Sequence, residues 1–298
     1  MNPVTEARNP ASSDLDLLDT AGILRVINRE DQSVAQAVAG VIPQLARAVD
    51  AAVARLGAGG RVFYVGAGTS GRLGVLDASE IPPTFGASAE LFQAVIAGGY
   101  AACHAATEAS EDDAEQGARD LQARGASSAD VVLGIAASGR TPYTRGAVEW
   151  ARRAGALTIA LCCNPDAPLA PAADIAVVPV VGPEVLAGST RMKAGSAQKL
   201  VLNMFSTAVM VRLGHVYSNW MVNVQMTNAK LARRGLGILV EASGRGEDEC
   251  RAALEAAGGD LKAALVMLMA GVPADAARRH LEASAGNVRV ALAALRGS

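Results

Sequence analysis

Residues 61–86 read RVFYVGAGTSGRLGVLDASEIPPTFG, and this stretch decides the fold. The apolar, β-prone run 62–65 predicts a buried strand. Gly66, Gly68 and Gly71 then allow turns and close approaches that a side chain would block, and a helix bearing a carboxylate follows. Thr69 and Ser70 add hydroxyl donors where backbone amides meet the positive end of that helix. The expected guest is an anion, with phosphate as the leading candidate.

The glycine spacing also matches GxGxxG, the dinucleotide fingerprint, with Glu90 near where a ribose-binding acid would be sought. A second loop argues for a different guest. The run 131–136 reads as another buried strand, and Ala137-Ser138-Gly139-Arg140-Thr141-Pro142 follow, with Pro142 suited to the first turn of a helix. Two hydroxyl-rich anion loops suit a sugar phosphate better than a dinucleotide.

Further strand candidates at 90–96, 157–162 and 175–180 alternate with helical stretches, which predicts an α/β domain built on a doubly wound parallel sheet. Ligands of such sheets bind beyond the carboxyl ends of the strands, where both glycine loops would lie. Residues 14–57 carry a helical apolar pattern and 193–232 read as one long helix, with Trp220, Met221 and Met226 expected in the core. Gly244-Arg245-Gly246 marks a break between a larger domain, 1–243, and a small helical, UBA-like module, 244–298. That module repeats itself: Leu254, Glu255, Gly259, Asp260, Leu261 and Leu265 are echoed by Leu281, Glu282, Gly286, Asn287, Val288 and Leu292. Each copy predicts a helix, a glycine turn with an Asp or Asn cap, and another helix.

The formal net charge of −2 over 298 residues gives no broad electrostatic reason to expect nucleic acid or an anionic membrane as partner. Cys103, Cys162, Cys163 and Cys250 lack CxxC spacing and neighbouring histidines, so no metal site is expected. The N-terminus is polar and acidic, and the apolar run 201–213 is too short to span a bilayer, so the expectation is a cytoplasmic protein acting on a small molecule.

Two carboxylates are candidates for chemistry. Pro82 and Pro83 are expected to stop the first helix, which puts Glu80 in its last turn, at the negative end that raises a carboxyl pKa. Ser110 reads as an N-cap with Asp113 three residues on, which puts Glu111 at the positive start of another helix, where the carboxylate is favoured. Spacing alone leaves two readings open: exposed helix-terminal charge, or an acid–base pair. A third segment, 182–199, gathers Ser189, Thr190, Arg191, Lys193, Ser196 and Lys199, which could close over a phosphate or serve as ordinary caps and surface charge. His215 could donate to a substrate or satisfy a core hydrogen bond.

These motifs also carry a resemblance. TEARNPASSDLDLLDT, VGAGTSGRLGVLDASEIPPTFG, GIAASGRTPY, VLAGSTRMKAGSAQKLVLNMFST and NWMVNVQMTNAKLARR closely resemble the N-acetylmuramic acid 6-phosphate etherases, which carry the SIS phosphosugar-binding fold and are related to the glucokinase regulatory protein. The resemblance implies a lyase that cleaves the D-lactyl ether at C3 of the sugar phosphate, without metal or redox cofactor. Its two catalytic glutamates fall on Glu80 and Glu111. It places phosphate on Gly68, Thr69, Ser70, Gly71, Ser138, Gly139 and Thr141, with Ser189 and Thr190 closing the site, and it implies a homodimer. Two other readings share the phosphosugar site: a non-catalytic sensor, and an aldose–ketose isomerase that keeps the C3 substituent.

Overall fold

The computed structural model describes residues 3–105, 110–224 and 229–297. They form two compact units, Met1–Ser79 with Ala89–Thr207, and Glu80–Ser88 with Ala208–Ser298.

The first unit opens with α1 (Thr20–Ala39) and α2 (Ile42–Gly57), where a single helical stretch over 14–57 was expected. Asp19 starts α1 by accepting from the Gly22 amide at 2.7 Å. The break at Gly40 and Val41 precedes Pro43, which sits in the first turn of α2. Then follow β1 (Val62–Gly66), α3 (Gly68–Phe85), β2 (Phe92–Ile96), α4 (Ala114–Ala123), β3 (Val131–Ile135), α5 (Pro142–Arg153), β4 (Leu157–Leu161), α6 (Leu169–Ala172), β5 (Ile175–Val177) and α7 (Lys193–Arg212). All five expected strands form. The last is shorter than expected because β5 pairs only with β4, and Pro179 has no N–H to extend the ladder.

The sheet is wholly parallel, in the order β2-β1-β3-β4-β5. Its central strands β1 and β3 are buried along their whole length, as a sheet covered on both faces requires. Phe63, Val65 and Val132 face Leu121 of α4 and Tyr143 and Ala147 of α5. On the opposite face Tyr64 packs against Phe205 of α7 and hydrogen-bonds Asp77 of α3. Full burial of such a side chain contributes about 1.5–3 kcal/mol, so the alternating pattern holds both helical layers. Chain order reverses between β1 and β3, so their carboxyl ends flank the crevice where such sheets bind ligands.

In the second unit α7 stops at Arg212 instead of running on to residue 232, because Gly214 turns the chain with φ +81°. Residues 213–224 are irregular and carry the Tyr217–Trp220 bridge, and α8 spans Ala229–Ser243. Trp220 packs against the core of this unit, Met221 is half-buried, and Met226 lies outside the described residues. After α8 come α9 (Glu247–Ala256), α10 (Leu261–Ala270), α11 (Ala274–Ala283) and α12 (Val288–Arg296). The internal echo is real in three dimensions. Asp260 caps α10 and Asn287 caps α12, each after a left-handed glycine. Among the described residues no single helix is long and apolar enough to cross a membrane.

Candidate active site

The passage from β1 into α3 is tighter than the expected loop. Only Ala67 separates strand from helix, so Gly68, Thr69, Ser70 and Gly71 all belong to the first turn. The turn closes only without side chains: a Cβ on Gly71 would lie 2.7 Å from the Gly66 carbonyl oxygen and 2.6 Å from Ile96 Cγ1. The amide of Gly71 reaches Ala67, while those of residues 68–70 have no acceptor within the helix and point toward the carboxyl edge of the sheet. Helix dipole and free amides together give this turn the chemistry that suits an anion.

Thr69 and Ser70 have different roles. Ser70 is buried and its hydroxyl donates to Gln198 Oε1 of α7 at 3.0 Å. Thr69 lines a cleft of about 420 Å³ with Leu73, Asp31, Arg191, Ser196 and Lys199. Three members of the third sequence cluster therefore meet the first hydroxyl turn. Lys193 does not join them: it is buried, and its ammonium pairs with Glu30 at 2.8 Å. That bond and a second one from Asn9 hold the Glu30 carboxyl below its ordinary pKa. Glu184, fully buried, accepts from the amides of Lys193 and Ala194 at 2.8 and 2.9 Å and so caps α7. Sequence reading missed Glu184 because it acts from nine residues ahead of the helix, beyond any local capping pattern. Ser189 and Thr190 occupy the turn entering α7, where the Thr190 carbonyl accepts from Gly195 at 2.9 Å.

The second loop has its expected form. Pro142 opens α5, Thr141 is its N-cap residue without using its side chain to cap, and Gly139 has φ +66° and packs against Ala167 too closely for a side chain. The Ser138 hydroxyl accepts from the Arg140 amide at 3.2 Å, and Ser138 and Arg140 line a separate cleft of about 360 Å³ with Asn164 and Asp166.

Glu111 is tied to this second loop. Its carbonyl accepts from the Tyr143 amide at 3.0 Å, in the first turn of α5. The approach depends on Gly117 of α4, packed on the Tyr143 carbonyl, and Gly146 of α5, packed on the Ala114 carbonyl. Tyr143 adds a bond from its hydroxyl to Asp120 at 2.6 Å. Burial first, and then Asp120, push the pKa of that phenol well up, so it remains a donor. Glu111 does not start a helix as expected. The cap of α4 is Asp113, which accepts from Gln116 at 2.9 Å, and Glu111 lies two residues ahead of it.

Glu80 also departs from its expected setting. α3 runs through Pro82 and Pro83 to Phe85, so Glu80 is not in the last turn. The prolines remove two donors, but the helix ends only where the Gly86 amide returns to the Pro82 carbonyl at 2.9 Å. Glu80 is exposed, whereas Asp77, one turn earlier, is buried and accepts from Tyr64 Oη, Asn203 Nδ2 and Ser206 Oγ at 2.8, 2.6 and 3.2 Å. The dinucleotide reading loses its acid. Glu90 lies before β2, at the amino ends of the strands, and accepts from Gln93 at 3.0 Å.

Residues 44–152 match the glucokinase regulatory protein N-terminal SIS domain, and residues 109–208 match the SIS domain. An N-acetylmuramic acid 6-phosphate etherase of Symbiobacterium thermophilum is 58% identical over 90% of this chain and 89% of its own. One from Aeromonas hydrophila is 55% identical over 91% of both. A solved phosphoheptose isomerase from Francisella tularensis superposes with a TM-score of 0.47 at 18% identity, over 64% of this chain and 98% of that one. With over half its residues shared with the two etherases along nine-tenths of its length, the chain belongs to the N-acetylmuramic acid 6-phosphate etherases, on an SIS fold.

Proposed function

We propose that this chain cleaves the D-lactyl ether of N-acetylmuramic acid 6-phosphate, giving D-lactate and N-acetylglucosamine 6-phosphate. The observation that carries this reading is the 58% identity to an etherase over 90% of the chain, a span long enough to contain both glutamates. The free amides at residues 68–70, with Thr69, and the Ser138–Thr141 loop supply phosphate donors on either side of the switch point. Gly68, Gly71 and Gly139 let the backbone approach. Ser70 holds α3 to α7, and Ser189 and Thr190 close over the sugar.

An ether oxygen is a poor leaving group, so the C2 proton goes first. In the open-chain sugar C2 lies beside the C1 aldehyde, and Glu111 removes its proton. The electron pair forms the C2–C3 double bond as the C3–O bond breaks, and Glu80 protonates the departing lactate. Water then adds at C3 and C2 regains a proton, with the two carboxyl groups acting in the reverse sense. Net consumption is one water.

The full chain is proposed to act in the cytoplasm as a homodimer in the breakdown of cell-wall amino sugars. A second copy would cover exposed apolar side chains such as Leu24, Leu76 and Met204. Residues 244–298 form its terminal module. The test is lactate release by native protein beside Glu80→Gln and Glu111→Gln. Prompt release, lost in both variants, supports the etherase and its pair. Phosphosugar binding without release would move the reading to a sensor.

A further inference from the structure

The terminal module repeats one motif twice, yet the glycine turns of the two copies have different surroundings. A Cβ added to Gly259, in the first copy, meets no atom within 4 Å. Its counterpart Gly286 is engaged: its carbonyl accepts from Lys262 Nζ at 2.9 Å. The same ammonium donates to the Gly214 carbonyl at 3.3 Å, and Asn287 packs on Gly214 so closely that a Cβ there would lie 3.0 Å from Asn287 Cβ. Lys262 and Asn287 therefore hold the turn that ends α7.

That turn leads to His215 and Asn223, which meet the end of α3. Asn223 Nδ2 donates to the Phe85 carbonyl at 2.6 Å, and His215 Nδ1 lies 3.1 Å from both that carbonyl and Asn223 Nδ2. The next residue, Gly86, has φ +60° and packs on the Asn223 carbonyl with no room for a side chain. Val222, between these contacts, is fully buried in the core of the second unit, which it shares with Val288 and Leu292 of the module. The irregular segment is thus built into the module at one end and grips the helix terminus at the other. The Phe85 carbonyl is among the last of the helix, which have no acceptor role within it, and the clamp supplies its donors.

We propose that the C-terminal helical module is a positioning element of the reaction: through Lys262 and Asn287 it fixes the segment whose His215 and Asn223 clamp Phe85, and so holds the helix end that carries Glu80. His215, Asn223 and Lys262 are positioning residues that act through Phe85. The inference rests on the reading of Glu80 as a catalytic acid.

The experiment uses the full-length protein with Asn223→Ala, Lys262→Met and Lys262→Arg, each also on a Glu80→Gln background. It measures kcat and KM for lactate release, and the affinity for N-acetylglucosamine 6-phosphate as a check on folding. The expected result is a fall in kcat of about tenfold to a hundredfold in Asn223→Ala and Lys262→Met, the size that slight misplacement of a catalytic group produces. KM and product affinity stay within twofold, Lys262→Arg recovers most of the loss, and neither substitution lowers kcat further once Glu80 is Gln. Equal losses with and without Glu80, or unchanged kcat in a folded Asn223→Ala protein, would overturn the proposal. Lost product affinity in both Asn223→Ala and Lys262→Met would also overturn it, in favour of a general structural role. Full activity in Glu80→Gln alone would remove the catalytic assignment itself, and the positioning role with it.

Discussion

Asp77 and Glu80 stand one helical turn apart in the DASE motif, and their environments predict opposite phenotypes. Asp77→Ala removes the acceptor for three donors, of which Tyr64 and Ser206 are only 1% and 2% exposed. A buried donor left unpartnered costs about 1–3 kcal/mol. Asn203 is partly exposed and regains water, so two penalties dominate and the expected destabilisation is about 2–6 kcal/mol. At roughly 2–4 °C per kcal/mol for a chain of this class, Tm should fall by at least about 4 °C and by as much as about 24 °C. Glu80 is exposed and has no hydrogen bond or ion pair among the described residues, so Glu80→Gln should leave stability within about 0.5 kcal/mol. It should lower lactate release by about 10²–10⁴, the usual range for a general acid. Thermal melts followed by circular dichroism, run beside the lactate assay, separate the two effects. A Tm for Asp77→Ala within about 2–3 °C of native would show that Asp77 is not the acceptor on which the buried Tyr64 and Ser206 donors depend. Equal destabilisation by the two substitutions would refute the contrast between them.

Three further outcomes follow from the geometry. Gly117→Ala forces a methyl against the Tyr143 carbonyl, so α4 must move off α5 and carry Glu111 with it; lactate release should fall by at least about tenfold even in the fraction that melts cooperatively. Ser70→Ala should lower stability by about 1–2 kcal/mol by orphaning Gln198, whereas Thr69→Ala, at the lip of a cleft, should leave Tm unchanged and raise KM. Burial, which outweighs the bond to Phe85, depresses the His215 pKa in the folded state. The unfolded chain therefore binds the proton more readily, and the stability that neutral His215 contributes is present above its ordinary pKa of about 6.5 and lost as pH falls through the folded value. His215→Asn should flatten that part of a Tm-against-pH curve.

The sheet was legible because its strands are buried on both faces and so appear as unbroken apolar runs between glycine turns; all five emerge at their expected places. The two hydroxyl turns were legible for the same reason, since Gly66, Gly71 and Gly139 sit where tight packing forbids a side chain. Helix ends were not. Local rules stop α3 at its prolines, but the Phe85 carbonyl is held by Asn223 from far along the chain. They start a helix at Ser110, but Asp113 competes for the same role and wins. They also run one helix through Gly214, whose turn is held by Lys262 and Asn287 from further along the same unit. Two of these three misses are long-range contacts overriding a local preference, and both lie along the clamp on the end of α3.

The central claim is elimination and water addition at C2 and C3, and the most direct test is to turn over N-acetylmuramic acid 6-phosphate in deuterated water. Elimination followed by water addition gives D-lactate and N-acetylglucosamine 6-phosphate in equal amounts, with deuterium at C2 of the sugar. Lactate released with protium kept at C2 would contradict proton abstraction, and an isomerised sugar that retains its lactyl group would contradict the etherase itself.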